Sequence, residues 1–310
     1  MLRYNPFPII LETGSPVTIL SLISKIDRAS SSVGYACLKT IIGLQKENGA
    51  FPRDMKAENP GSVKATYGTI RVLNQCGVSS NSLLVRSALN WLMRQQAEDG
   101  GWHENPEVKL PEWIAWESTV RSVTWYTSQV AELLLELGMT RTEQFEKALL
   151  FLEGSERKEG GWGVFWQDPE LDPDSTTGIT AFLAQSRGED HPAVRRGRII
   201  FEAKLNELVQ QVEREKTDCA YTLTHLLFDT PENKMYRKND PRIQTLLKAL
   251  VEAQRPDGGW STFYSSDKPE PAMSAYAVSV LLAHRAVDKA VLRSMFDEKR
   301  MESLGFGLSS

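Results

Sequence analysis

One phrase returns along this chain and limits what it can fold into. It runs Leu44-Gln45-Lys46-Glu47-Asn48-Gly49-Ala50-Phe51, then Arg94-Gln95-Gln96-Ala97-Glu98-Asp99-Gly100-Gly101-Trp102. A weaker copy reads Leu152-Glu153-Gly154 followed by Glu159-Gly160-Gly161-Trp162, and the last is Ala253-Gln254-Arg255-Pro256-Asp257-Gly258-Gly259-Trp260. The closing aromatics Phe51, Trp102, Trp162 and Trp260 lie 51, 60 and 98 residues apart. The last interval is about twice the first, so a degenerate copy is expected inside it. Periods of about 50 residues mark an array of supersecondary units.

Each copy has one grammar. An amphipathic run comes first (residues 37–45, 85–96, 145–152 and 243–254), and polar residues with glycine end it, since glycine accepts left-handed backbone angles without strain. The aromatic follows, and then a second apolar helix starts behind small polar residues, at 64–73, 118–137, 176–184, 218–227 and 271–283. The second set is richer in Thr, Ser, Ala and aromatics, as expected if it lines a central space while the first set faces out. No long alternating strand pattern appears. The chain therefore reads as all-α, five or six helical hairpins that form either an open solenoid or a closed ring. Residues 1–30 form an N-terminal segment whose Val17, Ile19, Leu20, Leu22, Ile23 and Ile26 stand at helical spacing. That helix either packs on the domain of residues 31–310 or rests on a membrane surface.

The Gln-to-Trp phrase resembles the QW repeat of the terpene cyclase and protein prenyltransferase superfamily, over roughly residues 35–285. The resemblance implies a single (α/α) toroid of inner and outer helices, in which Gln45, Gln95 and Gln254 cap helix ends and the aromatics pack between hairpins.

The sharpest local signal follows the third copy: Leu171-Asp172-Pro173-Asp174-Ser175-Thr176-Thr177. Two carboxylates stand at a helix start, where free amides favour negative charge; the same residues also make a good N-cap. The run resembles the Asp-x-Asp-Asp motif of class II terpene cyclases. The resemblance implies proton-initiated cyclisation of a linear isoprenoid, a prenyl diphosphate or a squalene-like polyene, by an isomerase-type enzyme. Asp174 falls on the acid and Asp172 on its tuning partner; Ser175 stands where the family usually has Asp. An alkene is a very weak base, so its acid must rest protonated, which desolvation and a neighbouring carboxylate favour. Ser175 and Thr176 are expected to assist, as is Asp218. That residue matches an Asp placed four residues before a His in hopene cyclases. Here Thr222 occupies the His position, and His225 lies a further turn on. A carbocation needs aromatic faces, and the candidates are Trp113, Trp116, Trp125, Tyr126, Phe165, Trp166, Tyr221, Tyr264 and Tyr276. Each of these also reads as ordinary core.

Other chemistries fit less well. A net charge of −4 lacks the clustered basic residues of a nucleic-acid binder. The zinc ligands of the prenyltransferases are missing: Ala220 and Met273 stand where Cys and His belong, and catalytic zinc needs three protein ligands. No zinc or other protein-held metal is expected, although a prenyl diphosphate would bring Mg2+ to shield its charge. Lys64, Arg121 and Lys268 are basic residues placed to meet such a head group. The three cysteines form no disulfide framework or CxxC pattern. With no evident signal peptide and no spanning segment, a cytoplasmic protein is expected, with peripheral membrane contact open. Most class II cyclases use two rings, and this length has room for one, so pairing with itself or with a second helical subunit is open too. The alternatives are a non-catalytic isoprenoid-binding or scaffold subunit, and a sugar lyase or hydrolase, where paired acids also serve.

Overall fold

The computed structural model describes residues 2–110, 120–166, 168–215, 220–228, 240–262 and 268–296. Within them the chain is helical, and Cα packing divides it into two units, residues 44–204 and residues 1–43 with 205–310.

The unit of residues 44–204 holds α4 (Val63–Gln75), α5 (Leu83–Arg94), α6 (Thr124–Glu136), α7 (Glu143–Gly154) and α8 (Pro173–Arg187), and α9 (Pro192–Glu215) starts in it. The helix before each repeat turn has one buried stripe. In α5 this is Val85, Ala88, Leu89, Trp91 and Leu92, the spacing of a helix with one covered face. The helix after the turn is covered on more sides: α8 buries Ser175, Thr176, Thr177, Ile179, Thr180, Ala181, Phe182 and Leu183. The two sets read from composition are therefore two layers of burial. The interval before Trp260, where a degenerate copy is expected, holds two further helices, α9 and α10 (Ala220–Phe228). At 24 residues, α9 is longer than the other helices here.

The phrase itself is a set of hydrogen bonds. The backbone N–H of each closing aromatic donates to a hydroxyl in the first turns of the following helix: Phe51 to Thr66 (2.9 Å), Trp102 to Thr127 (3.0 Å), Trp162 to Thr176 (2.9 Å) and Trp260 to Ser274 (2.9 Å). Each indole N–H reaches back ten residues to the preceding helix's end, on Leu92, Leu152 and Leu250. Gly49, Gly100, Gly160 and Gly258 have φ between 90° and 97°, a region that only glycine enters cheaply.

The glutamine lies four residues before that glycine, so in the second copy it is Gln96 and not Gln95. Gln96 Nε2 donates to Gly100 O and to Gln144 O of α7, both at 2.8 Å. Gln95 is the C-cap of α5. Gln45 likewise reaches Gly49 O and Leu84 O at the start of α5. In the weak third copy Glu156 occupies the slot. A carboxylate cannot donate to a carbonyl, and Glu156 instead takes Arg196 of α9 in a two-pronged pair at 2.7 and 2.6 Å.

The second unit holds α1 (Phe7–Thr13), α2 (Pro16–Lys25), α3 (Ser32–Leu44, whose last residue passes into the first unit), α10, α11 (Pro241–Glu252), α12 (Pro271–Ala283) and α13 (Lys289–Met295). Helices α1 and α2 pack on α12. Ile19, Leu20, Leu22 and Ile23 of α2 are at most 1% exposed, so its apolar face is covered by protein. Gln254 Nε2 donates to Gly258 O and Tyr4 O at 2.9 Å, and its Oε1 accepts from the amides of Arg3 and Tyr4. The segment before α1 thus stands where the other repeats place their next helix. The N-terminal residues are part of the last repeat's packing.

Thr127→Val tests the aromatic–hydroxyl bond. It strips a fully buried acceptor from the Trp102 amide and a donor from Val123 O. The expected loss is about 1–3 kcal/mol, read as a lower midpoint in urea with an unchanged slope.

Candidate active site

The acidic segment is positioned by the third repeat. Asp172 N donates to Trp162 O at 2.8 Å, which ties the start of α8 to the repeat aromatic. Asp172 is the N-cap: one carboxylate oxygen accepts from Ser175 N at 3.0 Å and from the Ser175 hydroxyl. Pro173 fills the first helical position, where no amide partner is needed. Asp174 comes next and takes no hydrogen bond among the described residues. The two carboxylates therefore have different work. Asp172 holds the helix end, and Asp174 is left available.

Asp174 is exposed to solvent, which corrects the expectation of a dry enclosed carboxyl. Neighbouring protein atoms nevertheless shield part of the carboxyl from water. Its pKa is pushed up to about 6, first by this partial burial, then by the charge of Asp172, while Lys204 on α9 pulls it down. Near pH 7 the unliganded site is mostly ionised. Lys204→Met is expected to raise the Asp174 pKa further, seen as an upward move of the acid limb in a pH–rate profile or in a carboxyl NMR titration. Helices α8 and α9 meet closely: a Cβ on Gly197 would strike Thr180 Oγ1.

Two assisting roles expected from sequence go elsewhere. Thr176 is fully buried and exchanges hydrogen bonds with the Trp162 backbone, at 2.9 and 3.1 Å. The Ser175 hydroxyl serves Asp172. The aromatics divide as well. Trp125, half-buried, lies edge-on to Tyr126 (centroids 4.5 Å), and Tyr126, fully buried, lies edge-on to Tyr67 (6.4 Å). The ammonium of Lys64 stands 5.0 Å from the Trp125 ring centre. Trp166 packs on Phe151 (5.2 Å) and against Gly154 of α7, so its ring serves packing. The Arg121 guanidinium stands 4.5 Å over Phe165, so that ring already holds a cation. His225 and Tyr276 pair in the other unit, 5.6 Å between centroids. Trp113, Trp116, Asp218 and Tyr264, and the side chain of Tyr221, lie outside the described residues.

A residue that sequence reasoning missed is Glu104. It is 0% exposed and accepts from Val63 N and Ser62 Oγ (2.7 Å each), from Asn105 N (2.8 Å) and from Arg53 (3.3 Å). It caps α4 as Asp172 caps α8, but from a neighbouring repeat. Two surface depressions, about 480 and 550 Å3, lie by Arg157 and Asp168 and by Arg121 and Trp166 respectively; neither is lined by Asp174. No described helix is long and apolar enough to cross a membrane.

Solved structures share this arrangement of helices. A protein from Actinoplanes is 17% identical, with 87% of this chain and 89% of that one covered and a TM-score of 0.58. The type II terpene cyclase MstE from Scytonema, in complex with its substrate geranylgeranyl dihydroxybenzoate, is 14% identical over 88% of each chain (TM-score 0.58). An alpha-amylase from Clostridium perfringens is 10% identical over 87% and 86% (TM-score 0.60). At such identities the likeness shows the fold, an all-α (α/α) toroid class, and one fold carries many chemistries. No curated protein matches the sequence. The family model of the squalene-hopene cyclase C-terminal domain matches residues 18–173, half the chain, and ends one residue before Asp174. Sequence and fold agree, and the chain belongs to the squalene-hopene cyclase C-terminal domain family.

Proposed function

We propose that this chain is a class II terpene cyclase, which protonates a linear isoprenoid through Asp174 and lets the chain close into rings. The observation that supports this most is the division of labour at α8. Asp172 is committed to the helix end, while Asp174 is unbonded, with its pKa raised to about 6. An apolar chain lying over Asp174 displaces water from that carboxyl, and desolvation raises its pKa again. The substrate thus favours the protonated acid. The Asp174 O–H breaks as its proton joins one alkene carbon. The π electrons form the new C–H bond, the carboxylate keeps the O–H pair, and the cation on the other carbon is attacked by the next π bond. Loss of a proton from the final cation ends the sequence, and the carboxylate regains a proton before the next turnover.

MstE binds a geranylgeranyl-bearing substrate, and a prenyl chain is the class proposed here. Among the described residues no three His, Cys, Asp or Glu side chains gather to hold a metal. A diphosphate substrate would bring Mg2+ as its own counter-ion, and no step runs through it. Glycoside chemistry asks for a second free carboxylate across the bond, whereas Asp172 is engaged in its cap.

The test is turnover of prenyl diphosphates, a prenylated benzoate and squalene in D2O. A cyclic product carrying one solvent deuterium on the ring methylene formed from the terminal alkene's CH carbon supports proton initiation. Cyclic product without deuterium overturns it, and tight binding with no product from any of them turns the reading to a carrier of isoprenoids.

A further inference from the structure

The third repeat departs from the others beside the acid. Thr66, Thr127, Thr176 and Ser274 bind the amides of the closing aromatics. Five residues before each of them, the chain passes over the small residue that precedes the aromatic. A Cβ on Gly61 would meet Ala50, one on Gly101 would meet Ser122, and one on Gly259 would meet Pro269. In the third copy the facing residue is Leu171, whose Cδ1 would lie 2.6 Å from a Cβ on Gly161. Gly161 has a φ of 71°, a left-handed turn that Gly101 and Gly259 do not make. Ile200 of α9 closes on the same bare glycine, with its Cδ1 2.7 Å from that position. Leu171 is 37% exposed, and Ile200 is half-buried. Lys204 follows Ile200 by one turn on the same face of α9, and its charge acts on Asp174. An apolar pair and the unbonded acid thus stand side by side between α8 and α9.

We propose that Leu171 and Ile200 form a shelf on which the dimethyl end of the isoprenoid rests, so that its terminal alkene is held against Asp174. This rests on Asp174 being the acid. A residue just before an N-cap often packs on the fourth helical residue as a staple. Here that residue is Thr176, whose hydroxyl is engaged with the Trp162 backbone, and Leu171 stays partly uncovered. The other copies build the same turn with Gly61, Ser122 or Pro269, so the turn itself does not call for a leucine. An apolar surface left in water is covered favourably by an apolar group, and the dimethyl end of a prenyl chain is such a group. Its arrival also removes water from beside the carboxyl, which favours the protonated acid. Neither shelf side chain carries a nucleophilic atom, so the tertiary cation formed over them is left for the next π bond. Leu171 and Ile200 are therefore positioning residues: they seat the alkene, and Asp174 supplies the proton.

The experiment compares wild type with Leu171→Ser, which copies the second repeat, and with Leu171→Met. The substrates are geranylgeranyl diphosphate and an analogue that lacks one terminal methyl. Expected for Leu171→Ser is a rise of about fourfold or more in KM for the full substrate, the worth of one buried methylene, with Leu171→Met close to wild type. Wild type is expected to discriminate against the shortened analogue, and Leu171→Ser to treat the two alike. Calorimetric binding of both compounds to Asp174→Asn, with and without Leu171→Ser, gives the same reading without turnover, and thermal melting checks that each variant folds. A lower melting temperature with unchanged KM and binding overturns the proposal and makes Leu171 a staple. Equal loss on both compounds overturns it as well, because the terminal methyls then lie elsewhere. If Asp174→Asn still cyclises substrate, the acid assignment falls instead. If that variant is dead while Leu171→Ser behaves as wild type, only the shelf falls.

Discussion

Asp174→Asn is expected to abolish cyclisation, lowering turnover by roughly 10²–10⁴-fold, with the prenyl substrate still bound. An amide is nearly the same shape as the carboxylic acid but supplies no proton. Product analysis by gas chromatography reads the loss, and calorimetry reads the retained binding. Two pH effects accompany it. With a pKa of about 6, the protonated fraction falls about tenfold for each pH unit above that value, and kcat/KM of the wild type falls with it. Stability moves the other way from an ordinary carboxylate. The folded pKa lies above the unfolded 3.8, so the folded state holds the proton more tightly between pH 4 and 6. Stability is lost as pH rises through that window, and the penalty persists above it. The asparagine variant lacks this penalty. It is expected to melt higher than wild type at pH 8 and close to it at pH 4. An equal difference at both pH values would mean that the carboxyl titrates normally.

Glu104→Ala is expected to be the most damaging of the structural changes, at about 3–5 kcal/mol. The carboxylate is fully enclosed and receives Arg53, a serine hydroxyl and two backbone amides. Its removal takes one carboxylate partner from the half-buried Arg53 guanidinium, which keeps Asp54, and leaves the Val63 amide at the head of α4 without its acceptor. Glu104→Gln keeps the volume and one acceptor oxygen, and is expected to lose less. Denaturant titration of both variants separates loss of charge from loss of packing. A loss under 1 kcal/mol for the alanine would show that water enters and replaces the carboxylate.

Much of this was legible because the repeat grammar is local. Helix-ending glycines, closing aromatics and the small polar residues beyond them follow one another along the chain, and 271–283 coincides with α12 at both ends. The helix start at Asp172 was equally readable, as a cap. The register of the glutamine was misjudged in the second copy, where Gln95 and Gln96 stand together. Only the carbonyls that Gln96 reaches decide between them. The third copy looked weak because Glu156 replaces the amide, and its compensation, Arg196, lies forty residues away. Glu104 was invisible for the same reason: it caps a helix that begins more than forty residues earlier. The unequal fates of Thr176 and Asp174, two residues apart, could be read only once the Trp162 amide was seen to occupy the threonine. The exposure of Asp174 depends on what surrounds α8, which no local pattern encodes.

The missing side chain at Gly197 gives the acid a remote adjustment. A methyl there would meet Thr180 and wedge α9 off α8. Lys204 rides two turns further along α9, so the wedge would carry the lysine away from Asp174 and let the carboxyl hold its proton to higher pH. Drift at a position that touches no substrate can therefore reset the working pH of such a protein, while its chemical groups stay as they were.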